Sequence, residues 1–381
     1  MIYLDHAATS LLKPASVAKA VYEAILSLGN SGRGANDSAL DAARLIYETR
    51  ELVADFFGSH NPEQVVFTLN ATMALNMAIK GLLTAGDHVI TTQLEHNSVL
   101  RPLYEMEERG VEVSIISSDC QGRLDYEALE AAIKQNTRLV VCTHASNLTG
   151  NLVDLERIGE MCQNHGIFFM VDASQTAGAI PIDMERAHID VVCFTGHKGL
   201  LGPQGTGGLC VRPTCFIRTF VSGGSGIESF SKVQPSAMPV RLEAGTLNAH
   251  GIAGLRAGIL YILDKGMNEI HRRQIYLMQR FLAGVKNLPT VEIYGDFSSM
   301  HRAAIVSLNI GKLDSAVVCD LLQTEYGIAV RGGGHCAPLM HKALGTITKG
   351  AVRFSFSHLN TEADIDAAIA AVAEIAKAEE V

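Results

Sequence analysis

Between residues 60 and 212, short apolar runs alternate with stretches of helical periodicity. Val65-Val66-Phe67-Thr68 predicts a strand and Ala71 to Leu83 a helix. His88 to Thr91 predicts a second strand with a helix after His96, and Val111 to Ile116 precedes a helix from Asp125. Leu139 to Thr143, Phe168 to Val171, Asp190 to Phe194 and Gly208 to Val211 are nearly unbroken apolar runs. Strands without polar alternation are buried on both faces, and their separation by helical patterns predicts a parallel sheet. The expected class is therefore α/β, a doubly wound and mostly parallel sheet with ligands at the carboxyl ends of its strands.

The pattern changes after residue 212. Ser222 to Pro239 is rich in Gly, Ser and Pro and reads as a loop or lid, followed by one long helical segment from Ala249 to Leu288. Ile305 to Asn309, a helix from Asp314, Ile328 to Arg331, Ala351 to Phe356 and a helix from Thr361 predict a compact α+β unit. A helix beginning near Pro14 is expected to pack against that smaller unit. With 381 residues, two domains are expected. Residues 15–250 form the larger, and residues 1–14 with 251–381 the smaller.

Charge and cysteine usage narrow the function. A net charge of −9 with no basic stripe argues against a nucleic-acid partner. No apolar run is long enough to span a bilayer, and the first residues lack the basic and apolar regions of a signal peptide, so a cytoplasmic location is expected. Cys142, Cys193 and Cys210 sit inside strand-like runs, where a thiol behaves as a small hydrophobe. No C-x-x-C pair occurs among the eight cysteines, so no metal site is expected.

The chemistry concentrates at strand ends. Phe194-Thr195-Gly196-His197-Lys198-Gly199 follows Val171-Asp172-Ala173-Ser174-Gln175, with Lys198 lying 26 residues after Asp172. Pyridoxal phosphate (PLP) needs a lysine for a Schiff base and a carboxylate that keeps its pyridine nitrogen protonated. Leu69-Asn70-Ala71-Thr72 opens a helix, which suits either a phosphate or a plain N-cap. His96 could stack on a ring or cap the next helix. Asn147, in His144-Ala145-Ser146-Asn147-Leu148-Thr149-Gly150, could bind a ligand or serve turn chemistry. Cys336 stands among Arg331-Gly332-Gly333-Gly334-His335-Cys336-Ala337, a setting for a reactive thiol whose thiolate Arg331 and His335 would favour by charge. Arg353 lies in an otherwise apolar strand, and its planar fork suits a carboxylate.

These segments resemble the class V aminotransferases of fold type I, and within them the cysteine desulfurase and selenocysteine lyase family. Tyr3-Leu4-Asp5-His6-Ala7-Ala8-Thr9, Thr92-Gln93-Leu94-Glu95-His96 and Arg241 to Asn248 extend the resemblance over nearly the whole chain. It implies that Lys198 carries the PLP Schiff base, Asp172 faces the pyridine nitrogen and Gln175 the phenolic oxygen. His96 would stack on the ring and take part in catalysis. Thr72, with Asn70 and Ala71, and Thr195 with His197 would hold the phosphate. Asn147 is expected beside the cofactor and the substrate, with Ala8, Arg331, His335 and Arg353 on the substrate side. Thr246 would reach the phosphate of a neighbouring subunit, which implies a homodimer with shared sites. The Arg-x-Gly-x-His-Cys-Ala signature resembles group II desulfurases, whose cysteine lies on a short ordered stretch. The implied substrates are L-cysteine or L-selenocysteine, the product is L-alanine, and Cys336 would hold sulfur as a persulfide before a sulfur or selenium acceptor protein takes it. An aminotransferase, a kynureninase-like enzyme and a catalytically silent sulfur-transfer partner are the rival readings.

Overall fold

A computed structural model describes residues 1–31 and 36–379. The chain opens with β1 (Ile2–Tyr3), α1 (Ala15–Ser27) and α2 (Asp37–Phe56). It then alternates through β2 (Val65–Thr68), α3 (Ala71–Leu82), β3 (His88–Thr92), α4 (Asn97–Glu108), β4 (Glu112–Ile116), α5 (Tyr126–Ala131), β5 (Thr137–Thr143), α6 (Leu155–His165), β6 (Phe168–Asp172), β7 (Val191–Thr195) and β8 (Gly207–Val211). Helices α7 (Ala249–Lys265) and α8 (Met267–Val285) follow. The remainder is β9 (Val291–Tyr294), β10 (Ile305–Ile310), α9 (Ser315–Tyr326), β11 (Ile328–Ala329), α10 (Pro338–Ala343), β12 (Val352–Ser355) and α11 (Glu362–Ala378).

Seven strands form the large sheet in the order β2-β8-β7-β6-β5-β3-β4. Strands β3 to β7 pair in parallel, and β8 runs antiparallel to both β7 and β2. A parallel neighbour needs a crossover, usually a helix, and residues 196–206 contain none, so β8 turns back. Alternate strand residues feed two separate cores. Phe67, Ile90, Val140, Phe169, Val171, Val192 and Phe194 pack on one face, while Val66, Val89, Leu139, Val141, Met170 and Val191 pack on the other. This two-sided burial is why the runs read as continuously apolar.

The long helical segment expected from Ala249 to Leu288 is two helices. Gly266, at φ +83°, breaks it with a backbone conformation that side-chain-bearing residues rarely adopt. The buried face of α7 (Ile252, Leu255, Ile259, Ile262) joins the first core of the large sheet, and α1 packs along α7. No helix or strand occurs between Val211 and Ala249 among the described residues.

A three-stranded antiparallel sheet, β12-β10-β9, packs with α8, α9 and α11 around Phe281, Val306, Leu308, Phe354 and Val372. Short β1 pairs in parallel with β11, which ties the N-terminus to this second core. Helix starts follow their sequence signals: Asn70, Asp125 and Asp154 each accept a backbone N–H three residues on, and Thr361 forms a capping box with Asp364.

Candidate active site

Two adjacent strand ends build the centre. Asp172 is the last residue of β6 and pairs in register with Cys193 of β7, which ends at Thr195. The buried Asp172 Oδ1 accepts from the Ser174 amide at 2.9 Å and the Ser174 hydroxyl at 2.5 Å. The turn that follows is pressed against the lysine loop. A Cβ on Gly178 would lie 2.2 Å from the Gly199 carbonyl, and one on Gly199 would lie 2.3 Å from the Ala177 carbonyl. Only glycine permits this approach, so Lys198 is held against the turn that carries Asp172. Desolvation pulls the Lys198 ammonium down to about 8, opposed by Asp172 and reinforced by Arg353 and Arg331. An amine tuned that way is available near neutral pH as a nucleophile and a base.

A cavity of about 200 Å³ opens above these strand ends. It brings together all the sequence-predicted site residues except Thr246 and Cys336. Its lining includes Asn70, Ala71 and Thr72, where α3 begins, together with Thr195 and His197. Asn70 Oδ1 caps the Met73 amide at 3.0 Å, and the Thr72 and Ser98 hydroxyls are 2.8 Å apart. The Thr195 hydroxyl is buried without a partner among the described residues. His197 Nδ1 meets Thr9 Oγ1 at 3.0 Å, and burial lowers the ring to about 4, so it is neutral. An unpaired buried hydroxyl beside a helix N-terminus fits a phosphate, and the Lys198–Asp172 pair fits the ring of PLP.

His96 takes its capping role. It caps α4, with Nδ1 accepting from the Ser98 amide at 3.0 Å, and its ring lines the cavity. That bond leaves the proton on Nε2, and burial holds the ring neutral by lowering it to about 4. Gln175 donates through Nε2 to the Ala7 carbonyl at 3.2 Å, next to Ala8 on the cavity wall.

Another part of the lining belongs to β12. Arg353 is 1% exposed. Its Nη2 donates to Asp5 Oδ1 at 3.0 Å and its Nη1 to the Asn147 carbonyl at 2.9 Å, while Nε has no partner among the described residues. Asn147 donates through Nδ2 to the His335 carbonyl at 2.8 Å and keeps its buried Oδ1 unpaired. Arg331, exposed on the cavity rim, forms a two-way backbone bridge with Arg353.

His335 does not supply the positive charge expected beside Cys336. Its Nε2 lies 2.9 Å from the Ala351 carbonyl, and burial drives it to about 3, leaving the ring neutral. It acts as an anchor. His335 and Cys336 adopt successive left-handed conformations, at φ +47° and +55°, which cost energy in residues that are not glycine. The turn is held by the Cys336 carbonyl, which accepts from the Asn97 amide at 2.7 Å. Cys336 is exposed just outside the cavity. Thr246 is also exposed, in a separate apolar groove with Leu69 and Leu242.

Several polar groups around the site were not singled out in the sequence. Asp5, Thr9 and Ser10 come from the N-terminal segment; the Ser10 hydroxyl donates to the Lys198 carbonyl at 2.7 Å. Glu95, the residue before His96, is completely buried. Its Oε1 accepts from Thr92 Oγ1 at 2.6 Å and the Thr143 amide at 3.0 Å, and Oε2 has no partner. Burial pushes this carboxyl up to about 8, with Asp172 adding to the rise against the two hydrogen bonds. The only available signal was a Glu beside a strand-end His, and nothing near it in sequence announces its burial.

The aminotransferase class-V family model matches residues 2–368. A probable cysteine desulfurase of Methanothermobacter thermautotrophicus is 36% identical over 372 residues, covering 96% of this chain and 92% of that protein. The cysteine desulfurase IscS of Vibrio campbellii is 32% identical, covering 97% and 91%. Among solved structures, a cysteine desulfurase from Thermococcus onnurineus superposes with a TM-score of 0.93 at 35% identity, covering 99% of this chain and 95% of the other. The cysteine desulfurase CsdA of Escherichia coli gives 0.89 at 29% identity, with the same coverage.

Proposed function

The chain belongs to the class-V aminotransferase family, and we propose that it is a PLP-dependent cysteine desulfurase converting L-cysteine to L-alanine with transfer of sulfur to Cys336. One observation carries this reading: a single cavity joins a desolvated Lys198, the buried Asp172 and Arg353, and an exposed thiol sits on the turn at its rim.

Lys198, Asp172, Gln175, His96 and the residues at the start of α3 would hold PLP, with Thr195 and His197 at its phosphate. When bound, PLP supplies a ring that accepts the electron pair of the substrate α-carbon. Arg353 binds the α-carboxylate with its free N–H groups, and Asn147 closes that end with its unpaired Oδ1. The Lys198 amine removes the α-proton and later returns protons to the carbon skeleton. His96 would lie against the ring as a neutral imidazole. The Cys336 thiolate attacks the substrate sulfur: an S–S bond forms, the C–S bond breaks, and its electron pair stays on carbon until protonation gives alanine. Arg331 is the cation at hand for that thiolate. The persulfide faces outward, where an acceptor protein can take its sulfur. Thr246 would reach the phosphate of a second subunit, in a cytoplasmic homodimer with shared sites.

L-Selenocysteine is the second candidate substrate, since selenium leaves carbon with less help from a thiol. Alanine release from both amino acids by wild type and Cys336→Ala tests the reading. Loss of the thiol should lower cysteine turnover by ~10²-fold or more while a larger share of selenocysteine turnover remains. Undiminished desulfuration, or equal proportional losses, would overturn it.

A further inference from the structure

We infer that Asp5 is a positioning residue that fixes Arg353 for the substrate carboxylate, an inference that rests on the reading of Arg353 as the carboxylate-binding residue. The guanidinium carries five N–H donors in a rigid plane. Two are used: Nη2 meets Asp5 Oδ1 at 3.0 Å, and Nη1 meets the Asn147 carbonyl at 2.9 Å. The other three remain, including the unpartnered Nε, on a side chain that lines the cavity and is almost fully buried. A planar fork can present paired donors to a carboxylate only if its plane is fixed beforehand. Asn147 alone would leave the plane free to turn about one bond. Asp5 supplies the second point.

Asp5 is itself fixed by the strand that bears Arg353. It bridges to Ser355. Ser355 donates its amide to the Leu4 carbonyl at 2.8 Å, and its hydroxyl accepts from the Ala7 amide at 2.9 Å. The Asp5 carbonyl takes the Ala8 amide at 3.1 Å and the Tyr3 hydroxyl at 3.2 Å. The carboxylate therefore has little freedom to follow the guanidinium if the latter swings. Asp5 is the one acidic partner of Arg353 among the described residues.

The test uses the PLP-loaded enzyme with Asp5→Asn, Asp5→Ala and Arg353→Ala. KM and kcat for L-cysteine are measured, together with equilibrium binding of L-alanine and of ethylamine, which differs from it by lacking the carboxylate. Asp5→Ala should raise KM by about tenfold or more and weaken L-alanine binding to match, with kcat within about threefold and ethylamine binding unchanged. Asp5→Asn keeps an oxygen acceptor for Nη2 and should fall between Asp5→Ala and wild type. If Asp5→Ala does not fold, Asp5→Asn decides alone: a higher KM at constant kcat supports the role, and an unchanged KM overturns it. An equal loss of ethylamine binding also overturns it, because that reports general disruption. Arg353→Ala separates the two claims. If it leaves L-alanine binding intact, the reading of Arg353 fails; if it loses binding while the Asp5 variants match wild type, only the role of Asp5 fails.

Discussion

The two ends of the site are built on opposite physical terms. The lysine end is made of strand ends and turns pressed together without side-chain clearance, as at Gly178 and Gly199, and its groups are tuned by removal from water. The cysteine end is an exposed turn, two residues of which sit in left-handed conformations. A group that moves protons within the molecule benefits from desolvation, because burial sets its pKa. Burial would work against a thiol that is to react as a thiolate, and the buried cysteines show the cost: desolvation pushes Cys142 and Cys193 far above an ordinary thiol. Position is instead secured through the backbone, by the Asn97–Cys336 bond and the His335 anchor.

The largest effect should come from the buried end. Lys198→Ala should abolish turnover, a loss on the order of 10⁴-fold or more, while PLP still binds through its phosphate contacts. Borohydride reduction followed by peptide mapping checks the assignment, and label on any other lysine would refute it. At the exposed end, Arg331→Ala should slow alkylation of Cys336 at pH 7 by roughly threefold, whereas His335→Asn should leave its pH dependence unchanged between pH 6 and 9, since the ring is already neutral there. A titration step that disappears in His335→Asn would restore the charge argument for that histidine.

The smallest change in rate, but a clear one in stability, is expected at Glu95. Its folded pKa of about 8 exceeds the ordinary carboxyl value, so the folded chain keeps a proton that the unfolded chain releases. Stability from this group therefore falls as pH rises from about 4.5 through 8 and then levels off. Glu95→Gln removes the dependence. Its advantage over wild type in denaturant midpoint should grow from pH 5 to pH 9, reaching a few kcal/mol in free energy. A constant difference across that range would mean that Glu95 is ionised throughout.

The large sheet was legible because burial on both faces leaves an unmistakable mark: each apolar run became a strand within a residue or two. Lys198 and Asp172 were legible because chemistry at strand ends follows from that sheet. What escaped has a common cause. Glu95 owes its character to burial and Asp5 to a partner far away in sequence, and no local pattern reports either. Gly266 is not legible, because one glycine within a strongly helical stretch does not by itself announce a left-handed break. His335 looked cationic only while its burial was unknown.

The bond between Asp5 and Arg353 joins residues 348 positions apart. During synthesis, the first of the pair leaves the ribosome long before the second exists, and strands β2 to β8 can collapse around the lysine pocket in the interval. Contacts of such long sequence separation form late and slowly, after loop closure has been achieved. An interrupted chain would thus hold the lysine pocket without β12, and so without the Arg353 end of the cavity. The order in which the polypeptide is made therefore completes the arginine end of the cavity last.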